Sequence, residues 1–198
     1  MQSTRTREGH RVNNFIEKRY QGLIVCRKYT RTWSFPVEVA KLIQQETADM
    51  SVLHLYGGLA EGGVKLDADP LTRPDVIGNS LFPPFACESF DVVIVDPPYK
   101  SIYNMPSAVL MPAACVAKHW VWWFHTHYQP HVCGLVPHRW WSVLPSKRGP
   151  LRCLIEYKRT RHPRGHTMVH NWKTSPEMQP YNWSRHLLQR PLSLTGVA

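Results

Sequence analysis

The chain has 198 residues, of which 43% are hydrophobic, and this is enough for one domain with a substantial core. It contains no run of eighteen apolar residues and no basic leader before an apolar segment, so we expect neither a membrane span nor a signal peptide. Five scattered cysteines without a C-x-x-C pair favour reduced thiols over a disulfide framework. We therefore expect a cytoplasmic protein, nucleoid-associated if its source is prokaryotic or viral.

The net charge of +10 is concentrated at the two ends of the chain. Residues 1–33 carry eight basic and two acidic side chains, residues 158–198 carry seven and one, and the part between them is slightly acidic. We predict a basic N-terminal arm (1–32), one domain (33–157) and a basic, aromatic C-terminal tail (158–198). A polyanion is the simplest partner for such arms, although solvated tails without a partner have the same composition.

The N-terminal third contains one possible strand and one predicted helix. Residues 22–26 are the only apolar stretch within the basic arm. Further on, Pro36, Val39, Ala40 and Ile43 recur at the spacing of one helix face, and proline is favourable in a first turn. This pattern predicts a helix that begins near Pro36.

Three short strands follow, and each ends in residues that ligand sites often use. The first (51–58) closes with Gly57 and Gly58, which let the backbone approach a ligand. The second (63–69) ends in acid, and Asp67 is the better placed carboxylate for ribose hydroxyls. The third (74–80) ends at Asn79. A turn that merely ends a strand explains Asp67 equally well.

The run from Val92 to Val95 is entirely β-branched and is followed by Asp96-Pro97-Pro98-Tyr99. An unbroken apolar run of this length predicts a strand that is buried on both faces of a parallel sheet. Two prolines cannot donate to a sheet, so the strand must end at Asp96. In open α/β sheets, ligands bind at this carboxyl edge.

The remaining elements complete an α/β sheet. Residues 100–118 must contain the crossover to the next parallel strand, for which we predict a brief helix and a lid. Residues 120–124 are the predicted fifth strand, and residues 140–144 and 152–157 are a predicted terminal antiparallel hairpin. The predicted fold is α/β, with a mostly parallel central sheet and this hairpin.

The tetrapeptide Asp96-Pro97-Pro98-Tyr99 resembles the catalytic motif of S-adenosylmethionine-dependent DNA amino-methyltransferases, which methylate the exocyclic amino group of adenine or cytosine. Residues 81–85 and 88–91 resemble the segment that precedes this motif in the family. The resemblance covers roughly residues 33–104. It implies a single Rossmann-like methyltransferase domain, S-adenosyl-L-methionine as cofactor, and adenine N6 as a target favoured over cytosine N4.

The resemblance also assigns roles to individual residues. The catalytic residues would be Asp96, Pro97, Pro98 and Tyr99. The cofactor-binding residues would be Phe35, Pro36, His54, Tyr56, Gly57, Gly58, Asp67, Asn79, Leu81 and Asp96. The predicted nucleic-acid contacts are Lys100, Tyr103, Lys147, Arg148, Arg159, Arg161 and Arg164. At His54 the family usually has an acidic residue, followed by a Gly-x-Gly loop, so the chain departs from the pattern there.

Several alternatives remain open at this stage. DNA is the favoured acceptor and RNA is possible, and the chain could also be a non-catalytic, nucleic-acid-binding subunit with a decayed cofactor pocket. A partner subunit or a homodimer is possible, and no membrane partner is expected. The cluster of His125, His127, His131 and Cys133 fits no common zinc spacing, so we predict no metal site. It more simply forms an aromatic and imidazole surface beside a nucleobase pocket.

Overall fold

Eight strands form one mixed sheet in the computed structural model, which describes residues 20–26, 34–98, 106–126, 130–132, 134–144 and 150–160. The strands are β1 (Tyr20–Val25), β2 (Val52–Leu55), β3 (Val64–Asp67), β4 (Val76–Ile77), β5 (Phe90–Val95), β6 (Ala117–Thr126), β7 (Leu135–Leu144) and β8 (Arg152–Arg159). The α-helices are α1 (Val37–Glu46) and α2 (Pro106–Val116), and Pro70–Thr72 form a 3₁₀ turn.

The sheet has the strand order β1-β7-β8-β6-β5-β2-β3-β4. Every neighbouring pair is parallel except the two pairs that involve β8. Counted from β2, the five strands β4-β3-β2-β5-β6 have the order 3-2-1-4-5 of a Rossmann-like sheet, to which the antiparallel β7–β8 hairpin is added. The predicted fold class is confirmed.

The two helices cover opposite faces of the sheet. On β5, Val93 and Val95 join the core beneath α2, whereas Val92 and Ile94 join the core beneath α1. All four side chains are completely buried. The β-branched run therefore has the environment predicted for it, because successive side chains of a strand point to opposite faces.

Strand β1 lies inside the stretch predicted as the basic arm. It forms the edge of the sheet and pairs in parallel with β7, with Leu23 opposite Ser142. The apolar stretch at residues 22–26 is thus a strand, as predicted, but its partner lies more than a hundred residues later in the chain. The division into arm, domain and tail remains a prediction.

Both helices lie where they were predicted. Helix α1 begins at Val37, with Pro36 as its N-cap residue. Helix α2 lies within the predicted crossover and contains Pro112. Within the described part of the chain, no helix is both long and apolar enough to span a bilayer.

The connection between β2 and β3, residues 56–63, contains no helix and is shorter than most parallel crossovers. Gly63, the last residue of this connection, lies very close to strand β2. A Cβ atom on Gly63, whose φ is +90°, would lie 2.6 Å from the carbonyl oxygen of Val52. Glycine is therefore required at this position, by close approach as well as by backbone conformation.

A buried carboxylate ties α1 to the hairpin. Glu156 on β8 is 2% exposed, and its carboxylate accepts a hydrogen bond from Nε of Arg139 on β7. The same guanidinium donates to Glu46, at the end of α1, over 2.8 Å. Burial raises the pKa of Glu156, and the hydrogen bond and the charge of Arg139 oppose that rise.

Replacing Arg139 by methionine should lower the free energy of unfolding by about 3–5 kcal/mol, because Glu156 then stays buried without its counter-charge. Urea unfolding at neutral pH measures this change. The double variant R139M/E156L should recover most of the lost free energy of unfolding. As a control, Lys118→Met removes a more exposed ion pair with Asp91 and should lower the free energy of unfolding by no more than about 1 kcal/mol. A double variant as unstable as the single one would contradict this account.

Asp91 and Ser51 hold together the starts of β5 and β2. The Asp91 carboxylate accepts hydrogen bonds from the Ser51 hydroxyl (2.6 Å) and backbone N–H (2.9 Å), and the Asp91 N–H donates back to the hydroxyl (2.9 Å). These side-chain and backbone hydrogen bonds from Ser51, aided by Lys118, lower the pKa of Asp91 to about 2. The pair therefore stabilises the register of the two strands while the carboxylate is charged.

We expect acid to remove this stabilisation. Because the folded-state pKa of Asp91 lies below its unfolded value of 3.8, its contribution is present above pH 4 and is lost as the pH falls towards 2. Urea unfolding at pH 4 and pH 2 should show a loss of about 1 kcal/mol, after allowance for solvent screening, that is absent in Asp91→Asn. Ser51→Ala should reduce it similarly. An undiminished loss in both variants would refute the assignment.

Candidate functional site

The ends of β2 and β5 lie side by side at the carboxyl edge of the sheet. Leu55 is in register with Val95, and the N–H of Asp96 donates to the carbonyl of Leu55 over 3.5 Å. The strand order reverses between these two strands, which makes this the position where open α/β sheets bind ligands. The chain carries Asp96-Pro97 at that position.

The described part of the predicted catalytic motif has three different environments. Asp96 is half-buried, Pro97 is buried and Pro98 is exposed. Alternation along β5 places Asp96 on the same face as Val92 and Ile94, which is the face that α1 covers. Tyr99 lies outside the described residues.

The glycine loop, residues 56–63, is tied to the end of β3. The N–H of Gly57 donates to the carbonyl of Leu66 (3.1 Å), and the N–H of Gly58 donates to the carboxylate of Asp67 (2.8 Å). Tyr56, which begins the loop, has a φ of +58°, a conformation that is uncommon for a non-glycine residue and often found at functional sites. Burial raises the pKa of Tyr56, and the charge of Asp67 raises it further.

Asp67 and Asn79 hold local turns as well as occupying the strand ends. The Asp67 carboxylate also accepts from the N–H of Asp69 (2.9 Å), and the Asn79 side-chain oxygen accepts from the N–H of Leu81 (2.9 Å). Each acceptor oxygen has a second lone pair. Both residues can therefore keep their turns and still accept a hydrogen bond from a ligand.

Ser80 is a site residue that the sequence analysis missed. Its side chain is 2% exposed, accepts from the N–H of Tyr56 (3.0 Å) and donates to the carbonyl of Leu66 (3.5 Å). One hydroxyl thus joins the loops after β2 and β4 to the end of β3. A serine after a short strand has no distinctive sequence signal, so the pattern alone could not identify it.

The buried side chain of His54 holds the glycine loop by a hydrogen bond to the loop backbone. Its ring is 2% exposed, and Nε2 lies 2.6 Å from the carbonyl oxygen of Gly62, so Nε2 must carry the hydrogen. Burial lowers the pKa of His54, Lys65 lowers it further, and the bond to Gly62 opposes both. The ring is therefore neutral at pH 7, and no group in the described part of the chain donates to its buried Nδ1.

A cleft of about 420 Å³ separates α1 from the glycine loop, and His54 lies in its wall. Apolar walls come from Phe35, Ala40 and Leu59. Polar side chains also line it, namely Ser34, Lys41, Gln44 and Glu61. Asp96 is not part of this wall; it follows β5, the strand next to β2. The sequence analysis did not identify Lys41 and Gln44 as cleft residues, because polar side chains three residues apart on a helix are usually exposed to solvent.

Phe35 connects the cleft to the core. Its ring lies 6.2 Å from the His54 ring and 5.5 Å from that of Phe124, measured between centroids. Phe35 is 9% exposed, so most of its surface packs beneath α1. Pro36, also buried, accepts the first hydrogen bond of α1 from the N–H of Ala40.

Among the predicted nucleic-acid contacts, the described residues include Arg159 alone. Arg159 ends the antiparallel strand β8 and therefore lies at the edge opposite Asp96. Its side chain is 7% exposed and forms an ion pair with Glu88 (2.7 Å). The remaining predicted contacts fall outside the described residues: Lys100, Tyr103, Lys147, Arg148, Arg161 and Arg164.

The part of the chain that the structure describes contains no group of three or more metal-ligating side chains. His125 is 3% exposed and stacks on Trp123 with ring centroids 5.1 Å apart. His131 is exposed, and His127 and Cys133 lie outside the described residues. His125 is therefore a core residue rather than part of an imidazole surface.

No protein-family model matches the chain, and no curated protein matches it in sequence. Solved structures with a similar backbone include a "putative RNA methyltransferase" from Pyrococcus horikoshii, which is 15% identical, with 71% of this chain and 93% of that chain covered and a TM-score of 0.49. Another is magnesium protoporphyrin IX methyltransferase from Synechocystis PCC 6803 with bound SAM, at 13% identity, 62% and 81% coverage and a TM-score of 0.42. The fold assignment follows from the strand order of the sheet.

The hydrogen bond from His54 to Gly62 predicts a measurable effect on the glycine loop. His54→Leu removes a bond worth about 1 kcal/mol, so amide hydrogen exchange across residues 56–63 should become about five-fold faster. His54→Gln, which can donate from its amide, should stay closer to the native rate. In the native chain, exchange should accelerate as the pH falls below 6.5, after correction for intrinsic exchange, because protonation places a charge on the buried ring. Equal rates in all three proteins would contradict this role.

Proposed function

We propose that this protein transfers a methyl group from S-adenosyl-L-methionine to the exocyclic amino group of a nucleobase in DNA, with adenine N6 favoured over cytosine N4. The observation that carries the proposal is the position of Asp96-Pro97. This dipeptide follows a parallel strand whose last four residues are completely buried. It lies at the point where the strand order reverses, beside the glycine loop that follows the neighbouring strand.

The residues around the cleft suit the proposed cofactor. Nδ1 of His54 is a buried acceptor to which none of the described residues donates, and Lys41 and Glu61 provide charges of both signs in the same cleft wall. These three groups would hold the amino-acid end of the cofactor. Asp67 and Asn79, at the ends of β3 and β4, have lone pairs for the ribose hydroxyls and for the adenine amino group. When bound, the cofactor supplies a methyl group on a positively charged sulfur, which is a good leaving group.

The chain's own contribution to the reaction is orientation. The Asp96 carboxylate and the Pro97 carbonyl can accept the two hydrogens of an aromatic amino group. This pair of bonds aims the nitrogen lone pair, which is otherwise delocalised into the ring. Positioning of this kind supplies most of the acceleration when the leaving group is already good. Asp96 need not be a strong base in advance, because the amino group becomes acidic only as the methyl group arrives.

A base in a duplex must leave the helix to reach such a pocket, and an unpaired base reaches it at lower cost. We propose that Tyr99 stacks on the base and that the basic arms contact phosphates. Arg159 is occupied by Glu88 at the far edge, so we assign it no acceptor contact. We expect specificity for a short sequence context.

Asp96→Asn should reduce methyl transfer by at least about 10²-fold, because the amide presents hydrogens where the amino group needs an acceptor. Mass spectrometry of nucleosides after incubation with labelled S-adenosylmethionine and DNA measures the change. Calorimetry should show that the variant still binds the cofactor. Asp49→Asn, a change in an exposed acid of the turn before β2, is the matched control and should leave the rate unaltered. Full activity in Asp96→Asn would overturn the proposed mechanism.

The same nucleoside assay distinguishes the acceptors when matched DNA and RNA are supplied separately. We expect N6-methyladenine in DNA, and a product found only in RNA would reassign the acceptor.

One observation favours a second candidate, a non-catalytic nucleic-acid-binding subunit, because an imidazole occupies the position where the resembled family has an acid. Nucleic-acid binding without any cofactor binding in calorimetry would support that alternative.

A further inference from the structure

Cys87 and Cys115 lie next to each other at the edge of the sheet opposite Asp96. Cys87 is exposed in the turn before β5, and Cys115 is 6% exposed near the end of α2. Both side chains are thiols in this structure. The sequence analysis treated them as scattered, because they are far apart in the chain.

A backbone hydrogen bond fixes the distance between the two cysteines. The N–H of Glu88 donates to the carbonyl oxygen of Cys115 over 2.9 Å. In a trans peptide, the Cα atom of Cys87 lies on the same side as this hydrogen, and the Cα atom of Cys115 is bonded to the accepting carbonyl carbon. Standard bond lengths then place the two Cα atoms within about 6 Å of each other. Disulfides usually join Cα atoms that are about 4.4–6.8 Å apart.

The turn that carries Cys87 is held by contacts of its own. The hydroxyl of Ser89 donates to the carbonyl of Ala86 over 2.5 Å, and the carboxylate of Glu88 forms an ion pair with Arg159 over 2.7 Å. Glu88 has a φ of +59°, which is uncommon for a non-glycine residue and persists only where the surrounding contacts impose it. The turn therefore holds Cys87 against the end of α2.

The two thiols also approach each other. Burial is the largest of the causes that raise the pKa of the Cys115 thiol to about 12, and a hydrogen bond with the Cys87 thiol is the next. This contact agrees with the spacing that the backbone hydrogen bond sets.

We propose that Cys87 and Cys115 form a redox-modification site, at which glutathione disulfide oxidises the two thiols to an intramolecular disulfide. The thiolate of Cys87, the exposed cysteine, attacks one sulfur of glutathione disulfide, and the first glutathione leaves. The Cys115 thiol then loses its proton, and its sulfur attacks the Cys87 sulfur and releases the second glutathione. Two electrons pass from the cysteines to the oxidant, and the two thiol protons are balanced by those on the released glutathiones.

The disulfide closes a loop of about 30 residues, 87–115, which contains β5, Asp96 and α2. It fixes the carboxyl end of α2 against the start of β5. Neither cysteine lines the cleft between α1 and the glycine loop, so the inference does not depend on the proposed function.

Incubation of the full chain with glutathione disulfide, followed by trypsin digestion without reductant and mass spectrometry, tests the proposal. Trypsin cleaves after Lys100, the only basic residue between the two cysteines, so a disulfide keeps their peptides joined until dithiothreitol separates them. We expect the joined peptides in the native chain and not in Cys87→Ser. Cys153→Ser, which changes a half-buried cysteine of β8, is the matched control and should still give them.

Oxidation should also raise the Tm of the native chain by roughly 5–15 °C, because the closed loop restricts the unfolded chain. Cys153→Ser should show the same rise and Cys87→Ser none. Because Cys87 is exposed, the reduced Cys87→Ser variant should unfold at the native temperature. Glutathione retained on Cys87 without a disulfide to Cys115, a disulfide from Cys87 to another cysteine, or an equal rise in Cys87→Ser would overturn the proposal.

Discussion

The parallel pairing of β2 with β5 determines where every group of the candidate site lies. At the amino ends of the two strands, Asp91 and Ser51 hold the pair together by hydrogen bonds. At their carboxyl ends, Leu55 lies beside Val95. The register cannot shift by one residue, because that shift would exchange the side chains of β5 between the two cores. This constraint fixes the position of the glycine loop relative to the residue that follows β5.

The glycine loop is held by side chains rather than by a helix. In dinucleotide-binding folds the loop leads into a helix whose N-terminus faces the ligand phosphates. Here residues 56–63 run directly into β3, so Asp67, Ser80 and His54 fix the loop by hydrogen bonds to its backbone. A sulfonium ligand carries a positive charge and has no phosphate. It would therefore gain little from the positive end of a helix dipole.

The two edges of the sheet differ in how their charges are used. At the edge opposite Asp96, Arg159 pairs with Glu88 and Lys118 pairs with Asp91, so these basic side chains serve the fold. At the site edge, Asp96 follows β5, and two prolines follow Asp96. The net charge of the chain therefore does not show at which edge of the sheet a cation lies, because the direction of its strand decides that.

The sequence by itself determined the elements whose signal is local. The run Val92–Val95 and the prolines after it predicted both the burial and the end of β5, because side-chain branching and a missing N–H act within a few residues. Only the tertiary structure decided that β1 pairs with β7, that His54 faces Gly62, and that Arg159 lies at the edge of the sheet opposite Asp96. Strand partners and directions depend on contacts between distant parts of the chain, and no short stretch of sequence contains them.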